Sequence, residues 1–189
     1  MRKRLLAGLL LLAILPGQAA AAGPGHGLSK AYWDTLTPAQ KSGLVDRLTR
    51  QMQVDLAAGR ATVRVVEQTY TNQTVRAAAG IASIGVSGGC RVEAITTPGT
   101  GDWVRAVAWT GTTAVVSRVE TLSTLLEDGV LRKSAFVSTP NSDYAGATTA
   151  YFFTAWWDTS EWRVRSQHTA INNGVFLWNK VPCTAAFTL

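Results

Sequence analysis

Two patterns of hydrophobic and polar positions divide the chain near Gly59. Before this glycine, from Leu44 onward, apolar side chains recur three or four positions apart, which places them on one side of a helix. Thr37 and Gln40 have the spacing of a capping box, and glycine is common where a helix ends. The pattern therefore predicts one amphipathic helix over residues 38–58.

Beyond Gly59 the chain is rich in β-branched and aromatic residues, and turn signals interrupt it at short intervals. Gaps this short favour antiparallel pairing, because parallel strands need long crossover connections. The fold class predicted is mainly β with one N-terminal helix (α+β), as a curved antiparallel sheet, a sandwich or an open barrel. We predict strands over 61–70, 90–97, 103–110, 113–122, 130–138, 148–157, 162–171 and 174–179, with turns that include 127–129, 140–143 and 172–174.

Residues 148–171 are predicted to form a hairpin with a defined register. Trp157 and Trp162 flank a four-residue loop and are expected to face each other, which pairs Ala155 with Val164. A slip of one residue would mix the apolar and polar faces, so the pattern specifies the register. The same register pairs Phe153 with Ser166 and Tyr151 with His168, and it places Phe152, Trp156, Arg163 and Arg165 together on the other face.

The beginning of the chain is typical of an export signal. Three basic residues precede the apolar run Leu5 to Leu15, which is too short to span a bilayer as a helix, and a cluster of small residues follows. We expect a signal peptide over 1–22, cleaved near Ala21 or Ala22, and hence a secreted protein, extracellular or periplasmic. A flexible tether over 23–36 and a single β-rich domain over 37–189 complete the predicted organisation.

Charge and metal-ligand spacing exclude several classes of function. The whole chain has net charge +6, but the leader carries three of its 18 basic residues, so the remainder has 15 basic and 12 acidic residues and net charge +3. Its basic residues are scattered, which is not typical of a nucleic-acid-binding protein. Two Cys and two His give no metal motif, and no cofactor is predicted.

The two cysteines, Cys90 and Cys183, are predicted to form a disulfide because exported proteins fold in oxidising compartments. The chain-entropy model gives such a long loop a stabilisation of about 4–5 kcal/mol. The bond would also hold the C-terminal segment to the sheet.

One motif is typical of a catalytic serine. Residues 85–89 match the G-x-S-x-G nucleophile elbow around Ser87, and His168 lies downstream in the order that α/β-hydrolases use. However, a strand pattern follows Ser87 where that fold has a helix, so the motif is better explained as a glycine-rich turn before Cys90. A small secreted serine-type hydrolase using Ser87 and His168 remains the first alternative.

Residues 77–90 carry no charge, which makes a membrane-active secreted protein the second alternative. Core packing also accounts for such a stretch, so membrane contact is disfavoured.

The seven tryptophans favour a binding function instead. Trp103, Arg105 and Trp109 share one strand face, and Phe152, Trp156, Arg163 and Arg165 form the predicted ligand-binding face. We therefore predict a non-enzymatic binding or interaction domain, whose partner is a carbohydrate, a cell-envelope polymer or a protein.

Overall fold

The computed structural model describes residues 28–75, 83–97, 101–155, 157–179 and 183–189. Two helices precede eight strands in this part of the chain. The predicted leader and its cleavage site lie outside the described residues. The helices are α1 (Lys30–Thr35) and α2 (Pro38–Ala57), and the strands are β1 (Thr62–Val75), β2 (Ile84–Thr97), β3 (Gly101–Glu127), β4 (Val130–Thr148), β5 (Phe152–Thr154), β6 (Glu161–Asn172), β7 (Val175–Asn179) and β8 (Cys183–Thr188).

Helix α2 begins at a complete capping box. The Thr37 side chain accepts a hydrogen bond from the Gln40 backbone, and the Gln40 side chain accepts one from the Thr37 backbone. Met52 is fully buried on the sheet beside Ile95 and Trp103, whereas Leu56, at the end of the predicted apolar stripe, stays partly exposed.

The structure has a second helix, α1, within the segment predicted as a tether up to residue 36, so the prediction of a single helix is wrong. Ser29 caps α1 by accepting a hydrogen bond from the Tyr32 backbone at 3.2 Å. This helix of six residues has no buried side chain, so it lacks the apolar periodicity from which a helix is recognised.

The strands form one open, antiparallel, eight-stranded sheet organised around β3. The first part of β3 pairs with β2, which in turn pairs with β1, and we call these strands the first sheet half. The last part of β3 pairs with β6, which also pairs with β7 and β8, and these form the second sheet half. Strand β4 follows the other side of β3, with a register shift between the Gly111 and Val116 positions.

This long β3 corrects the predicted strands at 103–110 and 113–122, which are one continuous strand. The predicted turn at 140–143 is also wrong as a chain reversal: Asn141 has a positive φ of 48°, but β4 continues to pair with β3 on both sides of it. The turns at Asp128-Gly129 and Asn173-Gly174 are hairpin turns with positive φ at both positions, as their sequences predict. Strand β8 has no counterpart among the predicted strands.

The core lies between the two sheet halves. Buried residues of β2 and of the first part of β3 pack in one cluster with those of β6 and β8, including Trp162 and Phe187. The disulfide between Cys90 on β2 and Cys183 on β8 crosses this core with a Cα–Cα distance of 5.8 Å. The predicted disulfide is thus present, and it joins the two halves directly.

The hairpin predicted over 148–171 does not form. Phe153 pairs with Trp103, and Val164 pairs with Leu125 on one side and Ala185 on the other. The long strand β3 supplies pairing partners to both β5 and β6, so these two strands do not pair with each other.

Neither of the two described helices combines the length and the apolar composition that a membrane span requires.

Candidate functional site

The structure does not bring Ser87 and His168 together. Ser87 lies on β2 opposite Gly111, and strand alternation directs its side chain away from the face of its neighbour Gly88. The His168 ring contacts Thr110, which pairs with Gly88 and so lies on that other face. The two residues of the predicted catalytic pair therefore occupy opposite faces of the sheet, and no helix follows Ser87, which lies within β2.

His168 belongs to a buried network of hydroxyl groups. Its Nδ1 lies 2.9 Å from Oγ1 of Thr110 and its Nε2 2.8 Å from Oγ of Ser166, and the ring is 0% exposed. Thr110 also contacts Thr121 at 2.7 Å. Burial lowers the pKa of His168 to about 4, against a smaller opposing effect of a hydrogen bond with the Trp109 backbone. The ring is consequently neutral at ordinary pH and acts as a structural link within the core.

The predicted binding face at Phe152, Trp156, Arg163 and Arg165 is not assembled as predicted. Phe152 contacts Trp162 at a ring-centroid distance of 5.6 Å, and Trp162 points into the core. Arg163 and Arg165 alternate with the buried residues of β6 and point to the opposite face, where both are exposed. Trp156 lies outside the described residues, and of the other three only the two arginines share a face.

Phe152 instead lines a cleft between the helices and the edge strand β5. Side chains come from α1 and α2, from the β3–β4 turn, and from residues 151–160, so that four separate stretches of the chain meet there. The cleft has two cavities, of about 520 and about 370 Å³, which share the rings of Trp33, Phe152 and Phe153 as a common wall. We call this site the aromatic cleft.

The rings of the aromatic cleft form a connected series. The ring centroid of Trp33 lies 5.8 Å from that of Phe153 and 6.5 Å from that of Trp157. Phe153 in turn packs edge-on against buried Trp103 at 5.4 Å. Offset and edge-on arrangements of this kind add stability beyond the area that they bury. The series therefore connects a partly exposed surface to the rigid core.

Charged side chains divide the aromatic cleft into two unlike ends. The larger cavity, which we call the acidic end, is lined by Glu127, Asp128 and Asp158 together with Arg132. The Arg132 guanidinium forms an ion pair with Glu127 at 2.7 Å and also lies over the Phe152 ring. Asp128 accepts a hydrogen bond from the Glu161 backbone at 2.8 Å, which fixes the β3–β4 turn beside the cleft.

The smaller cavity, the lysine end, is lined by Lys41 and Lys133 with one carboxylate, that of Asp46. Lys41 Nζ lies 5.2 Å from the Trp33 ring centroid, and neither lysine forms an ion pair with a described residue. Tyr151 also lines this end, and burial raises the pKa of its hydroxyl. A neutral hydroxyl of this kind can both donate and accept hydrogen bonds.

Gly101 is required where the cleft meets the sheet. Its φ is +122°, and a Cβ added there would lie 2.7 Å from the Phe153 ring. We expect Gly101→Ala to displace Phe153 and lower the unfolding free energy by about 2–3 kcal/mol, because a strained backbone and a ring collision act together. Thermal melting measures the loss, and Gly129→Ala, with positive φ and open space around its Cβ position, is the control for backbone strain alone. Equal effects of the two variants would contradict the collision.

The other aromatic face proposed from the sequence exists, but it is mostly occupied. Trp103 is 0% exposed beneath α2, where its indole donates a hydrogen bond to Thr49 at 3.1 Å. Arg105 lies between the carboxylate of Glu93 and the Tyr151 ring. The Trp109 ring packs against Gly89, where an added Cβ would lie 2.3 Å from it. These contacts stabilise the sheet and leave the aromatic cleft as the better candidate site.

Sequence reasoning missed most of the residues that line the aromatic cleft. Trp33 falls in the segment predicted as a tether, and Trp157 was expected to face Trp162 across a hairpin loop. The available signal was the concentration of aromatic residues at 151–157 between turn residues. Among the described residues, no group of three His, Cys, Asp or Glu is arranged to hold a metal ion.

Compared with protein-family models, with curated proteins and with solved structures, the chain matches none of them.

Proposed function

We propose that this chain is an exported, non-enzymatic domain that binds a carbohydrate chain through the aromatic cleft. The observation that carries the proposal is the row of partly exposed rings, Trp33, Phe153 and Trp157, beside polar and charged side chains. Ligand sites typically combine an apolar or aromatic lining with a few polar groups that fix orientation. Sugars fit this combination because a pyranose ring offers apolar C–H faces and a rim of hydroxyls.

The rings of the aromatic cleft are better explained by binding than by stability. Helix α1 has no buried residue, so Trp33 is held at the surface by the other rings and by Lys41. Large aromatic side chains are normally mostly buried, and a cluster of partly exposed ones marks an interaction surface. Carboxylates around the acidic end supply acceptors for sugar hydroxyls.

A binding role rather than catalysis is supported by the placement of the serine and histidine on opposite faces. The disulfide and the leader pattern support export, in which case the ligand belongs to the cell envelope or its surroundings. We also propose that the two sheet halves act as the layers of a sandwich, with the aromatic cleft at one end.

Trp33→Ala tests the proposal. We expect this variant to lose at least about tenfold in affinity for any glycan that the protein binds, because truncating a central aromatic anchor commonly costs more than about 1.4 kcal/mol. Titration of oligosaccharides followed by tryptophan fluorescence and calorimetry measures the affinity. The melting temperature should stay within a few degrees of the parent value, since α1 buries nothing.

Phe176→Ala is the matched control, since Phe176 is 58% exposed on β7. It should leave glycan affinity unchanged. A screen of neutral, amino and acidic polysaccharides that detects no binding to the parent protein would overturn the proposed function.

A further inference from the structure

We infer that the ligand of the aromatic cleft is an acidic glycan at least two sugar units long, with a sugar carboxylate in the lysine end. This inference rests on the proposed function and adds the class of ligand and its direction. It is carried by the shared wall of the two cavities and by the unequal distribution of charge between them.

The two cavities together fit an oligosaccharide better than a single sugar unit. Each cavity, at about 520 and about 370 Å³, has the size of a small-ligand site by itself. Because Trp33, Phe152 and Phe153 line both, a ligand that fills one cavity and continues into the other must pass over these rings. A linear polymer can do this, and a monosaccharide leaves one end empty.

The charged side chains at the two ends determine the direction in which a bound glycan lies along the aromatic cleft. Arg132 at the acidic end is already paired with Glu127, whereas Lys41 and Lys133 at the lysine end have no carboxylate partner among the described residues. An anionic group is therefore attracted to the lysine end and repelled from Asp128 and Asp158. The acidic end suits a neutral unit, whose hydroxyls donate to carboxylate oxygens.

A carboxylate is the anion that fits this arrangement best. Among the described residues, two lysines and the carboxylate of Asp46 line the lysine end, so its net charge of +1 balances a single negative charge. A densely sulfated or phosphorylated chain would place further anions against the carboxylates of the acidic end. Glycans that alternate a uronic acid with a neutral sugar have the required spacing of one charge per two units.

The test uses the whole exported protein and oligosaccharides that alternate glucuronic acid and N-acetylglucosamine, from two to eight units, with the same series after reduction of its carboxyl groups. We expect affinity to rise with length until the chain spans both ends, and the carboxylated series to bind about tenfold more tightly. Lys133→Met should remove most of this preference while leaving the affinity for the reduced series unchanged. Arg118→Met, at an ion pair with Glu120 that lines neither cavity, makes the same charge change and should preserve the preference.

The possible outcomes separate the two proposals. Equal affinity for carboxylated and reduced chains, with binding still lost in Trp33→Ala, overturns the acidic-glycan inference and leaves the proposed function standing. Affinity that does not change with length overturns the two-unit requirement. Binding to neither series, nor to any other glycan, overturns both.

Discussion

Reducing the Cys90–Cys183 disulfide is expected to lower the free energy of unfolding by about 4–5 kcal/mol, which corresponds to a fall in melting temperature on the order of 10 °C. The two cysteines are 93 positions apart in the sequence, so the bond removes a large loop-closure entropy from the unfolded chain. It also links β2 to β8 across the core, and both cysteines are 0% exposed. Urea unfolding of the oxidised and reduced protein at the same pH measures the difference.

Reduction is a cleaner test than substitution because both sulfur atoms remain in the core. The variant with Cys90→Ala and Cys183→Ala should lose somewhat more stability, since it also leaves a small cavity. Its unfolding midpoint should not respond to the reductant. If the midpoints of the oxidised and reduced parent protein coincide, the bond contributes nothing to stability and the expectation is wrong.

Acidification below neutral pH is expected to destabilise the fold through His168. The pKa of His168 is about 4 in the folded protein and 6.5 when the imidazole is not buried, as in the unfolded chain. The unfolded chain therefore takes up the proton first as the pH falls. The stabilising contribution is therefore complete above pH 6.5 and is lost progressively between pH 6.5 and 4. The total loss amounts to about 3 kcal/mol, at 1.36 kcal/mol for each pKa unit.

Urea unfolding at intervals between pH 7 and pH 4 measures this slope. His168→Gln keeps a neutral hydrogen-bonding side chain and should remove most of the slope, whatever its own stability. Asp55 contributes only at the acid end of the window, because its hydrogen bond with Arg60 lowers the pKa of that carboxyl below its ordinary value of 3.8, and that stabilisation is lost as the unfolded chain takes up the proton. A variant that retains the full slope would show that another group is responsible.

Local signals in the sequence identify the elements whose structure is decided locally. The Thr37–Gln40 capping box begins α2, and the Asp128-Gly129 and Asn173-Gly174 pairs form hairpin turns. The same type of signal was misleading at 140–143, where a positive φ at Asn141 bends β4 without reversing it. Whether such a residue ends a strand depends on whether a partner strand continues alongside, and here β3 does.

The pairing of distant strands and the aromatic cleft could not be predicted in this way. The apolar alternation of residues 151–164 is equally compatible with a local hairpin and with two strands that both pair with β3. The cleft forms only where α1, α2, the β3–β4 turn and residues 151–160 come together in the fold. The sequence of any one of these segments does not indicate the others as its neighbours. Only the local concentration of aromatic residues at 151–157 indicated that such a site exists.

The continuity of β3 has a consequence for how the chain folds. Its 27 residues supply the pairing edge for both sheet halves, so a cut near Gly111 would leave each fragment with only part of its central strand. We therefore expect neither half to form a stable intermediate while the other remains unfolded, and loss of structure to be a single cooperative event. Because the pairing of β3 with β6 joins residues 35 to 53 positions apart in sequence, completion of the second sheet half is expected to wait on slow, long-range encounters.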